Sequence, residues 1–182
     1  MNYPNKKNTF NNKPIIYGNR GISLEDDINN SNKYYLENDI ANIHKKPTPV
    51  KVINLNYNTN KITEAYYETP STTDYNGIYK GKYIDFDAKE TKSKTSFPLK
   101  NIHAHQIKHL INVKNHGGIS FLIIRFTTLD ETYLFETKYL EKFLKENDRK
   151  SIPYEYIKTN GYIIEYNYYP RLEYIKAIDK II

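Results

Sequence analysis

From Ile78 to Ala88 large apolar or aromatic residues alternate with polar ones, and the only glycine-bearing break is Lys80-Gly81. Alternation with period two is the mark of a strand, and a two-residue break with glycine predicts a tight hairpin turn. Such a turn pairs Tyr79 with Lys82 and, counting outward, Asp74 with Asp87. Lysine is a poor residue for the positive φ the turn demands, and a slip of one register leaves the aspartates diagonal instead of opposed. On the second arm residues 83, 85, 87 and 89 share one face and Ile84, Phe86 and Ala88 the other.

The remaining elements follow from period and punctuation. Ser23 followed by Asp26 reads as a capping box that opens a polar helix to about Asn38, with Leu24, Ile28 and Tyr35 inward and Glu25 one position off that stripe. Ile40 to His44 alternates as a strand until Lys45-Lys46-Pro47-Thr48-Pro49 stops it. Val50 to Tyr57 and Ile62 to Glu68 read as extended arms joined by the turn-rich Asn58-Thr59-Asn60, a projecting hairpin. Thr91 to Lys100 is predicted as a loop. Ile102 to about Asn115 is predicted as a helix whose apolar arc, Ile102, Ile107, Leu110, Ile111 and Val113, encloses the polar Gln106. The continuous apolar run from Ile119 to Phe126 predicts a fully buried central strand. Tyr133 to Phe135 gives a short strand, 137 to 147 a helix, and Leu172 to Ile182 a terminal helix. The order predicts an α/β layer, a mixed sheet flanked by helices.

Composition narrows the partners. The 182 residues suit one domain, and 27 Lys and Arg against 21 Asp and Glu give a formal charge of +6 that favours a polyanion. Abundant Asn, Lys, Ile and Tyr also fit an A/T-rich coding bias, so the 19 tyrosines are not read as stacking platforms. Absence of cysteine excludes disulfides and thiolate metal sites. No stretch approaches a membrane span, and a cytoplasmic protein with no membrane partner is expected. Residues 1–17 carry five Asn, three Lys and no acid, and read as a disordered basic arm ahead of a single domain over 18–182.

The hairpin carries the candidate chemistry. Two carboxylates placed directly opposite one another destabilise a ladder unless something neutralises them, and a divalent cation does so. Asp74 and Asp87 are hard oxygen ligands suited to Mg²⁺, and Lys89, one strand step beyond Asp87, can steady an attacking water or the developing phosphorane charge. Gln106, which does not titrate, is a positioning donor. Glu25 is a candidate to complete the metal shell through water, and the solvated face of the first helix is its other reading. His105 and His109 have zinc-helix spacing but lack the adjacent Glu and a third ligand, and read as surface histidines. Lys92, Lys94, Lys100 and Lys108 are candidate phosphate contacts.

An acid ahead of a hairpin and (Asp or Glu)-x-Lys on the adjacent strand resemble the PD-(D/E)xK, restriction-endonuclease-like core. Five segments, Asn19 to Ile28, Ile43 to Pro49, Pro70 to Gly77, Tyr83 to Lys92 and Thr95 to Asn101, together with His105-Gln106 and Tyr169-Pro170-Arg171-Leu172, resemble the RecU family of bacterial Holliday junction resolvases over about 18 to 180. The resemblance implies a homodimer that binds four-way junction DNA and makes paired symmetric incisions with Mg²⁺, for which Mn²⁺ substitutes, leaving 5′-phosphate ends. It places the family's acid on Asp74, its Glu-x-Lys on Asp87 and Lys89, the helix-borne acid on Glu25 and the glutamine on Gln106. It implies a stalk hairpin protruding over about 51–69, DNA contacts from Arg20 and Lys61 besides the lysines above, and RecA and RuvB as protein partners. Two departures stand out: Asp87 occupies a position usually held by Glu, and the stalk is short with Lys61 as its sole tip cation. Two further function classes stay open, a non-cleaving protein that binds branched DNA and a nuclease of this superfamily that cuts duplex.

Overall fold

A computed structural model describes residues 23–68 and 72–182; the basic arm, Arg20 and Thr69 lie outside the described residues. The chain runs α1 (Leu24–Glu37), β1 (Asn42–Lys45), β2 (Val50–Asn56), β3 (Lys61–Tyr67), β4 (Tyr75–Tyr79), β5 (Lys82–Thr91) and β6 (Ser96–Pro98). After a short 3₁₀ turn follow α2 (Ala104–Asn115), β7 (Ile119–Phe126), β8 (Glu131–Glu136), α3 (Thr137–Glu146), β9 (Ser151–Pro153), α4 (Tyr154–Asn160), β10 (Tyr162–Ile163) and α5 (Tyr174–Ile178). Six strands form one sheet in the order β1-β4-β5-β7-β8-β10. The β5–β7 pair is parallel and its other pairs are antiparallel, so the sheet is mixed as expected.

The centre of that sheet follows from β7. Phe121, Leu122, Ile123, Ile124 and Phe126 are all fully buried, each contributing about 1.5–3 kcal/mol of transfer free energy. Phe121 and Ile123 face one core with α1 and α5, while Leu122, Ile124 and Phe126 face a second core with α2, α3 and α4. A strand buried on both faces has no room for polar alternation, which is why its sequence is a continuous apolar run.

The β4–β5 hairpin forms in the expected register, Tyr79 against Lys82 out to Tyr75 against Phe86. Lys80 and Gly81 both adopt positive φ, 47° and 72°, the conformation a two-residue turn requires. Ile84, Phe86 and Ala88 enter the first core, where Phe86 stacks between Tyr75 and Phe121. Asp85, Asp87 and Lys89 therefore face the α2 side. β1 closes the edge against β4, and Gly77 allows it: a Cβ there would lie 2.1 Å from the Asn42 carbonyl oxygen.

Helix α1 opens with the capping box, Ser23 and Asp26 bonding reciprocally. Its Asp27, inside the protein, pairs with Arg125 of β7 at 2.6 Å and accepts from Tyr166 at 3.0 Å and Arg171 at 3.4 Å. Leu172 is held by the same helix, its N–H donating to Ser31 and its carbonyl accepting from the Tyr35 hydroxyl.

Three expectations need correction. The terminal helix spans only Tyr174–Ile178 because the backbone of Leu172 and Glu173 is spent on Ser31 and on the Glu165 carbonyl. The stretch 91–100 is not all loop: Ser96–Pro98 pairs with Ser151–Pro153. A short helix and strand, α4 and β10, occupy a stretch for which no element is predicted. The ribbon of β2 and β3 forms as expected, and all fourteen of its strand residues are exposed. None of its residues enters either core.

Candidate active site

Asp74 lies one residue before β4, and continuing the ladder by one pair sets it opposite Asp87. The Asp87 side chain is fully buried. Lys89 extends from the same strand face and places its ammonium 2.6 Å from Asp87 Oδ1 and 4.0 Å from Asp74 Oδ2. The shorter contact is off the line that a hydrogen bond requires, so both oxygens of Asp87 are buried without a hydrogen-bond partner. Burial pushes this carboxyl up to about 7; Lys89 pulls it down, and the charge of Asp74 adds to the rise.

Negative charge also acts on the Tyr75 hydroxyl, on the first-core face of the same hairpin. Burial first, then Glu25, Asp74, Asp26 and Asp87, raise its pKa. The surroundings suit a further cation, since Lys89 brings one positive charge to two facing carboxylates, and the buried Asp87 oxygens still lack a hydrogen bond. No cluster of three or more His, Cys, Asp or Glu side chains converges among the described residues. Mg²⁺ does not need one, because it keeps several waters and takes one or two carboxylates together with substrate phosphate. The pair Asp74 and Asp87 fits that requirement.

The other candidates separate into near and far. Gln106, in the first turn of α2, is 4% exposed, and its amide oxygen accepts the His103 N–H at 3.1 Å. Its amide nitrogen, a donor, has no hydrogen-bond partner among the described residues. Glu25 lies in the first turn of α1, and its carboxylate is paired with Lys45, both side chains about half exposed. Lys61 starts β3 at the turn end of the ribbon; Lys92, Lys94, Lys100 and Lys108 are exposed. None of these five lysines forms an ion pair among the described residues.

His109 is a correction. It is not a surface histidine: its Nε2 lies 3.0 Å from Oδ2 of Asp85. That fully buried aspartate also accepts from Lys46 and from Tyr83, each at 2.8 Å, and from the Thr73 hydroxyl. Burial pushes the Asp85 carboxyl up, yet the bonds from Lys46, Thr73, His109 and Tyr83 together outweigh it and hold the group below its ordinary range. Sequence reasoning put Asp85 on the chemical face without giving it or Lys46 a role. The available signal was the alternation itself, since 85 and 87 share a face.

The sequence profile of the family described as Recombination protein U, RecU, matches residues 19–180. Proteins named Holliday junction resolvase RecU from Staphylococcus aureus strains JH9 and COL are each 54% identical to the chain over 200 aligned residues, covering 100% of it and 96% of their own length. Among solved structures, that of Archaeoglobus fulgidus Hjc, a Holliday junction resolvase from an archaeal hyperthermophile, covers 72% of this chain and 90% of its own at 10% identity and a TM-score of 0.43, a likeness too loose to support comparison. With its profile matched across nearly the whole chain and relatives of this identity at full coverage, the chain belongs to the RecU family.

Proposed function

We propose that this protein resolves four-way DNA junctions as a metal-dependent endonuclease, with Mg²⁺ as the metal and paired symmetric incisions as the outcome. The observation that carries the reading is Asp87, buried with two unpartnered oxygens, set opposite Asp74 and beside Lys89. Asp74 and Asp87 would hold the ion, with Glu25 reaching it through water. The bound ion supplies Lewis acidity toward the scissile phosphate and lowers the pKa of water.

The chain's own residues do the rest. Lys89 offsets negative charge as it develops on the phosphoryl oxygens, and the Gln106 amide donates a hydrogen bond without exchanging a proton. Attack by water breaks the bond to the 3′ oxygen and leaves a 5′-phosphate. The five unpaired lysines, with Arg20, meet backbone phosphates and supply affinity that is indifferent to sequence. The exposed ribbon of β2 and β3 serves, within about 51–69, as the stalk that enters the junction, and residues 1–17 as a basic arm beside the single domain over 18–182. Two nicks related by symmetry require two sites related by a two-fold, so the active species is a C₂ homodimer. It works in the cytoplasm alongside the recombinase RecA and the branch-migration motor RuvB. No described helix is long and apolar enough to cross a membrane.

One assay tests the reading: mobile and immobile four-way junctions, matched duplex and matched single strands, each with and without Mg²⁺. Symmetric nicks in junctions alone, and only with metal, are expected. Equal cutting of duplex replaces the reading with a duplex nuclease, and binding without cutting in either Mg²⁺ or Mn²⁺ replaces it with a structural junction-binding protein. Sedimentation tests the dimer, which a monomer that still cuts both strands would refute.

A further inference from the structure

The cluster around Asp85 lies outside the set of groups that would touch metal or DNA, yet it joins the segments that carry Asp74, Asp87 and Gln106. Asp85 stands two residues before Asp87 on the same strand face. Thr73, buried and adjacent to Asp74, gives its hydroxyl proton to Asp85 Oδ1 and accepts from the Lys46 ammonium at 2.9 Å. The Lys46 backbone N–H donates to the Asp74 carbonyl at 2.7 Å. Asp74 lies just past the last β4–β5 pair, and the Lys46 N–H bond carries the β1–β4 ladder one rung on to it, while the Lys46 and Thr73 side chains tie that rung to Asp85. His109 brings in α2, one turn on from Gln106.

Lys46 and Thr73 also stand at the two roots of the exposed ribbon, on the connections that enter β2 and leave β3. Glu68 N–H to the Pro49 carbonyl, 3.0 Å, closes those roots above them. An apolar side chain in place of Asp85 could fill the same space without the cost of desolvating a charge. It could not hold a hydroxyl, an ammonium and an imidazole in one geometry. Groups outside the ligand shell that fix a ligand's backbone and its chain neighbour help to orient a metal site.

We propose that Asp85, with Lys46 and Thr73, is a positioning clamp that sets Asp74 at the separation from Asp87 that a divalent cation requires, and joins the root of the ribbon to the active site. The proposal rests on the nuclease reading above. It assigns Asp85, Lys46 and Thr73 to positioning and none of them to chemistry.

The test uses the full chain and Mn²⁺ as probe, with free Mn²⁺ followed by electron paramagnetic resonance and junction binding measured without metal. Thr73→Val removes one hydroxyl and keeps the shape, so it should weaken Mn²⁺ binding about tenfold or more. It should raise the Mn²⁺ needed for half-maximal cleavage in parallel and leave metal-free junction affinity unchanged. Thr73→Ser should restore both metal readouts. Asp85→Asn should shift them the same way. A cluster that merely supports the fold would lower the unfolding midpoint and leave Mn²⁺ affinity alone. Wild type and Thr73→Val binding Mn²⁺ equally tightly overturns the clamp while leaving the nuclease reading in place. A wild type that takes up no Mn²⁺ and cuts no junction overturns both.

Discussion

Two carboxylates on one strand face, two residues apart and both wholly buried, have opposite surroundings. Asp85 collects four hydrogen-bonding partners from four parts of the chain, and its pKa is lowered. Asp87 has an ammonium nearby but no hydrogen bond to either oxygen, and its pKa is raised. The same side chain at the same depth is thus a finished structural joint in one place and an unfinished one in the other. Lone unbonded atoms also occur at Asn32, Asn76 and Arg171, but among the described residues Asp87 is the one carboxylate with both oxygens buried and without a hydrogen bond, and that incompleteness beside a second acid is what marks a candidate reactive position.

The comparison can be broken most forcefully at Asp87. Asp87→Asn keeps the shape and removes a charge, so cleavage should fall by about 10³-fold or more, the equivalent of several kcal/mol of lost transition-state stabilisation. Junction binding should persist, because lysine contacts to phosphate supply it. Asp87→Glu keeps a carboxylate of the family's usual length and should stay active. Asn cutting at the wild-type rate would remove Asp87 from the metal site; Glu cutting where wild type does not would make the natural protein a junction binder.

The next largest effect concerns stability, and it has opposite signs at the two aspartates. Asp85→Asn removes the charge that neutralises Lys46 and should cost about 3 kcal/mol at neutral pH in urea unfolding. Its folded pKa is depressed, so the stability it contributes is present above the unfolded value and is lost as pH falls through the folded one. Asp87 runs the other way. With a folded pKa of about 7 against an ordinary 3.8, it binds its proton more readily folded than unfolded, and stability falls as pH rises across that window. Metal-free Asp87→Asn should therefore be more stable than wild type at pH 8, by about 1–3 kcal/mol, and the gain should vanish below pH 4. Adding Mg²⁺ should stabilise wild type and not the variant. Equal pH slopes for the two variants would erase the distinction.

The smallest effect sharpens the comparison by leaving both aspartates alone. Replacing Lys92, Lys94 or Lys100 singly with Ala should weaken junction binding and lower the salt slope by about one per lysine in contact. The cleavage rate at saturating protein should not change. A lysine whose removal leaves the slope untouched is a solvated charge and no phosphate contact.

The hairpin register, the capping box and the central strand were legible in the sequence because each is written in neighbouring residues: an alternation, a Ser with its Asp, an unbroken apolar run. The opposition of Asp74 and Asp87 came from the same counting. What was not legible depends on distant partners. Ser96–Pro98 is too short to announce itself and exists as a strand because Ser151–Pro153 meets it. The beginning of α5 is set by where Ser31 takes the Leu172 amide. His109 looked like half of an exposed pair because its i, i+4 relation to His105 is local, whereas its contact with Asp85 depends on α2 lying across the acidic face of β5. The positions of Asp74 and Asp87 could be counted; the partners of Asp85 could not.

The buried meeting of Asp27 with Arg125, Arg171 and Tyr166 has a consequence for synthesis. Asp27 leaves the ribosome early, while Arg171, 144 positions later, emerges near the close of translation. Until then the Asp27 carboxylate has Arg125 as its single partner and α1 lacks the segment that holds it down, so a nascent or prematurely stopped chain leaves that layer incomplete. A chain stopped before residue 166 should therefore be less stable and more readily cleaved than the full chain, which limited proteolysis of the two would show.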